Sequence, residues 1–226
     1  MTHNFVFDVD GTLTPSRGKI DPYFAEWFLD WMTKHPVYLC SGSDYAKTVE
    51  QLGEEICASA KAVYSCCGNA KYIGGELVRS TDFKLTSEEL AFLEYLLETS
   101  LFPIRTGQHI EHRLGLYNFS VVGRGADQEE RKLYFDYDSV QGERPIMAEQ
   151  INCRFPYLEA TVAGETGIDI YLRGKDKSQI ANEVSPYTYF GDTIYLGGND
   201  FSVALKAERY YNVKSWEHTW QLLKSN

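Results

Sequence analysis

Two aspartates two residues apart, Asp8 and Asp10, are the residues of this chain whose types and spacing most clearly allow catalysis. They follow an apolar run at residues 5–7 and precede Gly11, which lets the backbone turn tightly. Because side chains alternate along a strand, both carboxylates point the same way where the predicted strand ends. Such a pair can hold a hard cation while one of its oxygens acts as a nucleophile. The segment therefore predicts phosphoryl chemistry at the carboxyl end of a strand.

Two other interpretations of this segment start from its turn-forming residues. Asp and Gly are common in ordinary turns, so residues 8–11 could simply close a loop. A calcium loop of the EF-hand type would need a glutamate at its twelfth position. Counting from Asp8 or Asp10, that position holds Lys19 or Asp21. The apolar run before the aspartates is also strand-like rather than helical, which argues further against an EF-hand.

Hydrophobic periodicity indicates the elements that must position these aspartates. Apolar runs and helix-spaced segments alternate over residues 5–65 and again after residue 178, as is typical of a parallel sheet. The predicted elements are strands at 5–7, 37–40, 62–65, 187–190 and 210–213, helices at 21–33, 45–52, 178–184, 201–207 and 215–224, and a hairpin at 71–78.

The segment between these two halves has a different pattern, in which strand pairs accompany amphipathic helices. The predicted elements are strand pairs at 108–122 and 158–172 and helices at 86–98, 127–137 and 143–155. This order is typical of an α+β module with an antiparallel sheet. We therefore predict an α/β fold with a Rossmann-like, doubly wound parallel-sheet core over residues 1–81 and 175–226. An inserted α+β cap domain, with an antiparallel sheet and helices, is predicted over residues 82–174.

Composition limits the class of protein. The chain has 226 residues, of which 43% are hydrophobic and 14% aromatic, and this predicts a globular, ordered protein. Its formal net charge of -10 opposes binding to nucleic acid or to an anionic membrane, although it allows a local cationic pocket for a small anion. We find no run of roughly 20 apolar residues that would cross a membrane, and we expect no signal peptide.

The cysteines indicate a reducing compartment. They form no C-x-x-C pair, and the adjacent Cys66 and Cys67 resist bridging each other because disulfide geometry disfavours it. A structural zinc site is not expected, since His109 and His112 lack a nearby cysteine pair. We expect a cytoplasmic protein with free thiols at all five positions, Cys40, Cys57, Cys66, Cys67 and Cys153.

Polar residues cluster where the predicted core strands end, and these ends share one edge of a parallel sheet. The tips follow one another along the chain as Asp8 and Asp10; Ser41, Gly42 and Ser43; Lys177; and Asp192 with Asn199 and Asp200. In this order they resemble the four motifs of the haloacid dehalogenase phosphotransferase superfamily. The resemblance implies that a phosphoryl group is bound and transferred at this edge.

The superfamily resemblance also implies a role for each residue type. Asp8 would attack phosphorus and form an aspartyl phosphate, while Asp10 would protonate the leaving oxygen and later deprotonate the acceptor. Ser41 or Ser43, in a phosphate-binding tip that includes Gly42, would donate to phosphate oxygens, and Lys177 would supply a fixed positive charge.

A bound Mg²⁺ ion is implied as well. Its ligands would be Asp8, Asp192 and the backbone carbonyl of Asp10. Asp200 would orient its neighbours around this site. Asn199 has two open interpretations, a similar orienting role or a helix cap.

The inserted segment narrows the family. It contains Glu111-His-Arg-Leu-Gly-Leu-Tyr-Asn-Phe-Ser-Val-Val-Gly-Arg124 and then Gln128-Glu-Glu-Arg131, which resembles the cap of eukaryotic-type phosphomannomutases. The resemblance implies a homodimer formed through the cap and a set of sugar-phosphate ligands, Arg17, Arg113, Arg124, Arg131 and Asp169. For any one of these arginines, the alternative is a surface salt bridge with Glu111, Glu129 or Glu130.

Three departures from that family concern the residues around the substrate. The second motif is Ser41-Gly42-Ser43 instead of Gly-Gly-Ser, Cys66-Cys67-Gly68 stands where Glu-Asn-Gly is usual, and Gly167 replaces a serine of the cap hairpin. Lost hydroxyl and amide groups remove hydrogen bonds that would select a particular hexose.

The expected function is that of a Mg²⁺-dependent phosphohexomutase. It would interconvert mannose 6-phosphate and mannose 1-phosphate through an aspartyl phosphate at Asp8 and a hexose bisphosphate, with hexose 1,6-bisphosphate as activator. A sugar-phosphate phosphatase, in which water accepts the phosphoryl group, is the alternative. A signalling receiver domain is a third interpretation, which Asp10 and the insertion of about 90 residues oppose.

Overall fold

The computed structural model describes residues 3–225. The described residues up to Thr81 and those from Lys175 onward form one compact unit, the core unit, and Asp82–Gly174 forms a second, the inserted unit. The core unit begins with β1 (Asn4–Phe7), α1 (Pro22–Met32), β2 (Val37–Cys40), α2 (Tyr45–Leu52), α3 (Glu54–Ser59), β3 (Ala62–Ser65), β4 (Ala70–Ile73) and β5 (Glu76–Ser80). The inserted unit contains α4 (Ser87–Thr99), β6 (Ile110–Arg113), β7 (Leu116–Phe119), α5 (Gln128–Gln141), α6 (Glu143–Arg154), β8 (Leu158–Ala163) and β9 (Gly167–Leu172). The core unit ends with α7 (Ala181–Val184), β10 (Tyr187–Gly191), α8 (Phe201–Leu205), β11 (Arg209–Asn212) and α9 (Trp216–Ser225).

The sheet of the core unit is mainly parallel. Within residues 3–225 its strand order is β11-β10-β1-β2-β3-β4-β5, and the strands from β11 to β3 pair in parallel. The last two strands form an antiparallel hairpin at one edge. The predicted α/β fold with a doubly wound parallel-sheet core is confirmed.

Buried aromatic side chains align the central strands. Phe7 of β1 stacks on Phe190 of β10 with ring centroids 4.8 Å apart, and Phe28 of α1 meets Phe7 edge to face at 5.4 Å. Each such pair contributes about 0.5–1.5 kcal/mol beyond its burial. The backbone N–H of Asp8 donates to the carbonyl of Phe190 at 2.9 Å, so the ends of β1 and β10 lie side by side. This pairing brings the residues after both strands to the same edge.

The inserted unit has a separate antiparallel sheet with the order β6-β7-β9-β8. Apolar side chains of this sheet, such as Phe119 and Ile168, are buried in one cluster with side chains of the helices, such as Tyr134 of α5. Helices α4 and α5 both begin with a reciprocal capping box, which satisfies backbone N–H groups at their first turns. The antiparallel sheet predicted for this segment is confirmed.

In the described part of the chain, no helix has both the length and the apolar character needed to cross a bilayer. All five cysteines are free thiols, and four of them are buried. Burial raises the pKa of the Cys40 thiol to about 12. This thiol is therefore protonated at neutral pH.

Candidate active site

Three carboxylates meet where β1 and β10 end. Oxygens of Asp8, Asp192 and Asp200 lie within 4.8 Å of one another. Gly11 is needed beside them, because a Cβ atom at this position would lie 2.2 Å from Oδ2 of Asp192 and the backbone φ is +74°. The glycine after the two aspartates thus makes room for the third strand-end carboxylate.

Lys177 neutralises part of this charge. Its Nζ donates to Oδ1 of Asp8 and to Oδ1 of Asp200, both at 2.6 Å, and all three side chains are buried. The lysine begins a 3₁₀ turn, Lys177–Ile180, which Asp176 caps by accepting from the backbone N–H of Ser178. The return of the chain into the core unit therefore places an ammonium group between two carboxylates that are far apart in sequence.

Asp200 is the most strongly bonded carboxylate of the group. Besides Lys177, the hydroxyl of Tyr189 donates to its Oδ1 at 2.6 Å, and the backbone N–H of Thr193 donates to its Oδ2 at 3.2 Å. Burial alone would raise the pKa of Asp200, but Lys177 and these hydrogen bonds together hold it below its ordinary value. Asp200 is therefore ionised and forms the stable partner of Lys177.

The pKa values of Asp8 and Asp192 are shifted upward, in contrast to that of Asp200. Burial raises the pKa of Asp8 well above its ordinary value, and the charges of Asp200 and Asp192 add to this effect against Lys177. Burial, followed by the charge of Asp200, raises the pKa of Asp192 to about 6. One ammonium group among three carboxylates leaves an excess of negative charge in a buried place. Such a set of oxygens fits a hard divalent cation.

The carboxylate of Asp10 accepts hydrogen bonds from groups other than Lys177. Its Oδ1 accepts from the backbone N–H of Arg17 at 2.6 Å and from Nε2 of Gln51 at 2.9 Å. Arg17 has a left-handed backbone with φ of 57°, which turns its N–H toward the aspartate. The loop that follows Asp10 and contains Arg17 thus folds back onto the Asp10 carboxylate.

The second motif forms a tight turn after β2. Oγ of Ser41 accepts from the backbone N–H of Ser43 at 3.0 Å. The carbonyls of Ser41 and Ser43 accept from the backbone N–H groups of Cys67 and Cys66, both at 2.9 Å. Gly42 lies between the two serines at the tip of this turn. Both cysteines have positive φ values, 53° and 59°, so the turn after β3 is shaped to hold this loop.

Asn199 does not cap a helix. Helix α8 begins after Asp200 and has no side-chain cap, and Oδ1 of Asn199 instead lies 2.6 Å from Oγ1 of Thr193. The helix-cap interpretation of Asn199 is therefore wrong. The roles of Thr193, Tyr189 and Gln51 were missed from the sequence, because a hydroxyl in a strand or in a loop and an amide at a helix end carry no recognisable signal.

The arginines of the inserted unit are more buried than a surface salt bridge requires. Nε of Arg113 and Nε of Arg124 lie 2.9 and 3.1 Å from the same oxygen of Glu111. Burial lowers the pKa of Arg124, and the positive charge of Arg113 adds to this effect. The salt-bridge alternative is thus partly realised, because Arg113 and Arg124 both lie beside the carboxylate of Glu111.

Arg131 pairs with a glutamate other than the ones named in the salt-bridge alternative. Its side chain is only 8% exposed, and it donates to Thr166 and to Glu165 at 3.1 Å each. Glu130 instead accepts from Thr106 and from the backbone of Asp127.

Asp169 is buried on β9 opposite a residue of β7. Oδ1 of Asp169 accepts from Nδ2 of Asn118 at 2.7 Å, and the two residues are direct cross-strand partners. A Cβ atom on Gly167 would lie 2.6 Å from Nδ2 of Asn118. The glycine that replaces a serine therefore leaves room for the amide of Asn118.

Comparison with known proteins gives a consistent result. Residues 24–225 match the family model described as eukaryotic phosphomannomutase, a segment that starts after Asp8 and Asp10. A phosphomannomutase of Dendrobium officinale is 34% identical over 210 residues, which cover 88% of this chain and 83% of that protein. A phosphomannomutase of Arabidopsis thaliana is 32% identical over 210 residues, which cover 88% and 85% of the two chains.

Solved structures of low sequence identity share the fold. A sugar phosphatase of HAD subclass IIB, 14% identical, has a TM-score of 0.62 and covers 99% of this chain and 98% of its own. An IMP-bound IMP-nucleotidase of Plasmodium falciparum, also 14% identical, has a TM-score of 0.70 and covers 99% and 68%.

Proposed function

The chain belongs to the eukaryotic phosphomannomutase family, and we propose that it interconverts mannose 6-phosphate and mannose 1-phosphate. It is an enzyme, a phosphotransferase of the isomerase type. The observation that carries the proposal is the buried group in which Lys177 bonds both Asp8 and Asp200. We propose that the core unit carries out catalysis and that the inserted unit selects the substrate.

The bonding of Asp8 suggests which oxygen attacks. Lys177 occupies Oδ1, so we assign the attack on phosphorus to Oδ2. As the bond between Asp8 and phosphorus forms, the bond from phosphorus to the sugar oxygen breaks, and Asp10 gives a proton to that oxygen. When the donor is the hexose bisphosphate, this half leaves a hexose monophosphate. In the second half, the free hydroxyl of a hexose monophosphate bound in the opposite orientation gives its proton to Asp10 and takes the phosphoryl group from Asp8, which forms the bisphosphate again. The turn at residues 41–43 donates to the phosphate oxygens.

We propose Mg²⁺ as the cofactor of the core unit. The carboxylates of Asp8 and Asp192 and the carbonyl of Asp10 would hold it, with Asp200 and Asn199 orienting the surroundings. The oxygen-rich, net negative character of the group suits this ion. When bound, Mg²⁺ offsets the charge of the phosphoryl group and keeps Asp8 ionised despite its raised pKa.

Mg²⁺ binding should strengthen as the pH rises through about 6, the pKa of Asp192. The metal binds the ionised carboxylate, so protons compete with it below that pH. Calorimetric titration should show an affinity at least about tenfold lower at about pH 5 than at about pH 7. Asp192→Asn serves as the control, since it should bind weakly at both values. An affinity that does not change with pH would contradict this assignment.

We further propose that the inserted unit binds the phosphate that is not reacting. Guanidinium groups form bidentate hydrogen bonds with phosphate, and this acidic protein places a buried arginine, Arg131, and two partly buried ones, Arg113 and Arg124, in the inserted unit. Asp169 would bind a sugar hydroxyl, and Arg17 of the core unit would contribute a further phosphate contact.

Arg131→Met should raise KM for mannose 1-phosphate roughly tenfold to hundredfold and change kcat much less. A charge-assisted hydrogen bond contributes about 1.5–3 kcal/mol, and this one would be made equally in the ground state and the transition state. The matched control is Arg154→Met, which removes a half-exposed arginine of the same unit that pairs with Glu88. If Arg131 is only a structural residue, its variant will lose stability but keep its KM.

The proposed reaction is tested by mixing the protein with mannose 1-phosphate, Mg²⁺ and a trace of hexose 1,6-bisphosphate as activator. Formation of mannose 6-phosphate without free phosphate supports the mutase. Stoichiometric release of phosphate would identify a sugar-phosphate phosphatase instead. A screen of other hexose phosphates in the same assay identifies the preferred sugar. Homodimerisation through the inserted unit and a cytoplasmic location stay predictions from the sequence.

A further inference from the structure

A buried glutamine of the core unit, Gln51, contacts Asp10 and has no part in the mechanism above. Its side chain is 1% exposed, and its Nε2 lies 2.9 Å from Oδ1 of Asp10. The same nitrogen lies 3.3 Å from the carbonyl of Gly18 and 3.4 Å from Oγ1 of Thr14. A carbonyl can only accept, so the amide NH₂ group must face these oxygens.

The other end of the amide shows how firmly this orientation is selected. Within residues 3–225, Oε1 of Gln51 is buried and has no hydrogen-bond partner. A buried polar atom in this state costs about 1–3 kcal/mol. The reversed amide would place its oxygen against Oδ1 of Asp10 and the Gly18 carbonyl. This arrangement costs more free energy, because oxygens that can only accept hydrogen bonds would face one another. The fold therefore tolerates an unpaired oxygen to keep a donor on Asp10.

Gln51 also holds the loop that carries Arg17. Its backbone carbonyl accepts from the N–H of Ile20 at 2.9 Å. The N–H of Arg17 reaches the same Oδ1 of Asp10 at 2.6 Å. The end of α2 thus fixes the loop and the carboxylate with one residue.

Two donors on one oxygen distinguish the two oxygens of Asp10. A carboxylate oxygen has two lone pairs, and Arg17 and Gln51 use both on Oδ1. Oδ2 then has the greater capacity to carry and release a proton.

We propose that Gln51 is a positioning residue for proton transfer, which holds Oδ1 of Asp10 so that Oδ2 is the oxygen that exchanges the proton. This inference rests on the proposed phosphotransferase function. In the forward step, the proton on Oδ2 passes to the leaving oxygen while its bond to phosphorus breaks and the bond from Asp8 to phosphorus forms. In the return step, Oδ2 takes the proton of the acceptor hydroxyl as that hydroxyl takes the phosphoryl group from Asp8.

If Gln51 positions the acid, the loss of rate on its removal should depend on the leaving group. Phenyl phosphate leaves as a basic oxygen that benefits from a proton, whereas 2,4-dinitrophenyl phosphate leaves as a stable anion that needs none. Loss of a positioning residue for the acid should slow the first reaction and spare the second. A purely structural loss would slow both.

The test compares the full-length wild type with Gln51→Met and Gln51→Asn in Mg²⁺, by single-turnover release of the two phenolates. Methionine keeps the size of the side chain, and asparagine keeps the amide but is too short to reach Asp10. The single-turnover rate of each variant should fall roughly tenfold to hundredfold with phenyl phosphate and less than about threefold with the dinitrophenyl ester. The control Thr48→Val removes a buried hydroxyl of the same helix, which donates to the backbone of Asp44 instead, and should change neither rate.

Equal losses with both esters, no loss, or the same selective loss in Thr48→Val would overturn the role of Gln51. The hexose phosphate assay on the wild type tests the mutase separately, since it uses the sugar and not the aryl ester. A wild type that takes aryl phosphates but no hexose phosphate would contradict the mutase while leaving the Gln51 comparison decisive. Release of neither phenolate by the wild type would overturn the Gln51 proposal, whereas the mutase would still be decided by the hexose phosphate assay.

Discussion

Asp8→Asn should lower kcat for mannose phosphate isomerisation by at least about 1,000-fold, because an amide cannot form the aspartyl phosphate. The substitution is nearly isosteric, and the asparagine carbonyl can still accept the hydrogen bond of Lys177. Turnover and phosphoryl incorporation, followed with labelled hexose bisphosphate, measure the effect. A variant that keeps a tenth of the wild-type turnover, or that is still labelled at this position, would contradict the assignment of Asp8.

The stability of this variant separates a lost nucleophile from a damaged fold. The raised pKa of Asp8 means that the folded protein binds a proton more tightly than the unfolded chain does. Stability therefore falls as the pH rises from the unfolded pKa to the folded one, so the buried Asp8 carboxyl costs stability at a pH above its unfolded pKa. Asp8→Asn should accordingly unfold at the same or a higher urea concentration than the metal-free wild type. The control Asp176→Asn, which keeps a helix-capping side chain beside Lys177, should retain activity within about threefold.

The fold could be predicted well from the sequence where local signals agree. Residues 37–40 and 62–65 are strands as predicted, because each is an apolar run bounded by turn-forming or polar residues. Helix α3 was missed because Gly53, with φ of 85°, ends α2 and the next six residues are too few to show a period. Helix α5 continues to Gln141, four residues beyond its predicted end, and stops at Gly142 in a left-handed conformation.

The candidate site was predictable to the extent that it depends on strand ends. Topology alone brings residues after β1 and β10 to one edge, so Asp8 and Asp192 could be placed together. The partners that tune them could not be placed, because the Tyr189 hydroxyl and the Gln51 amide meet their carboxylates only through tertiary packing. Burial of Arg131 also depends on a distant hairpin turn.

Lys177→Met should both abolish activity and destabilise the metal-free protein, by roughly 3–5 kcal/mol in free energy of unfolding at neutral pH. The lysine is 1% exposed, and its removal leaves the carboxylates of Asp8 and Asp200 buried without a nearby cation. Like charges in a buried place raise each other's pKa. Urea unfolding at several pH values measures the loss.

A compensating substitution distinguishes this electrostatic cause from a packing defect. Adding Asp200→Asn to Lys177→Met removes one of the two buried carboxylate charges that lost their partner, so the double variant should regain at least about half of the lost stability but none of the activity. The deficit of the single variant should also shrink as the pH falls, since its unpaired carboxylates have raised folded pKa values and bind protons more tightly than the unfolded chain does. A deficit that is independent of pH and is not relieved by Asp200→Asn would show that Lys177 acts through its hydrocarbon packing. Because the ammonium group bonds Asp8 and Asp200 at the same time, the stability of the core unit and its chemistry depend on a single charge.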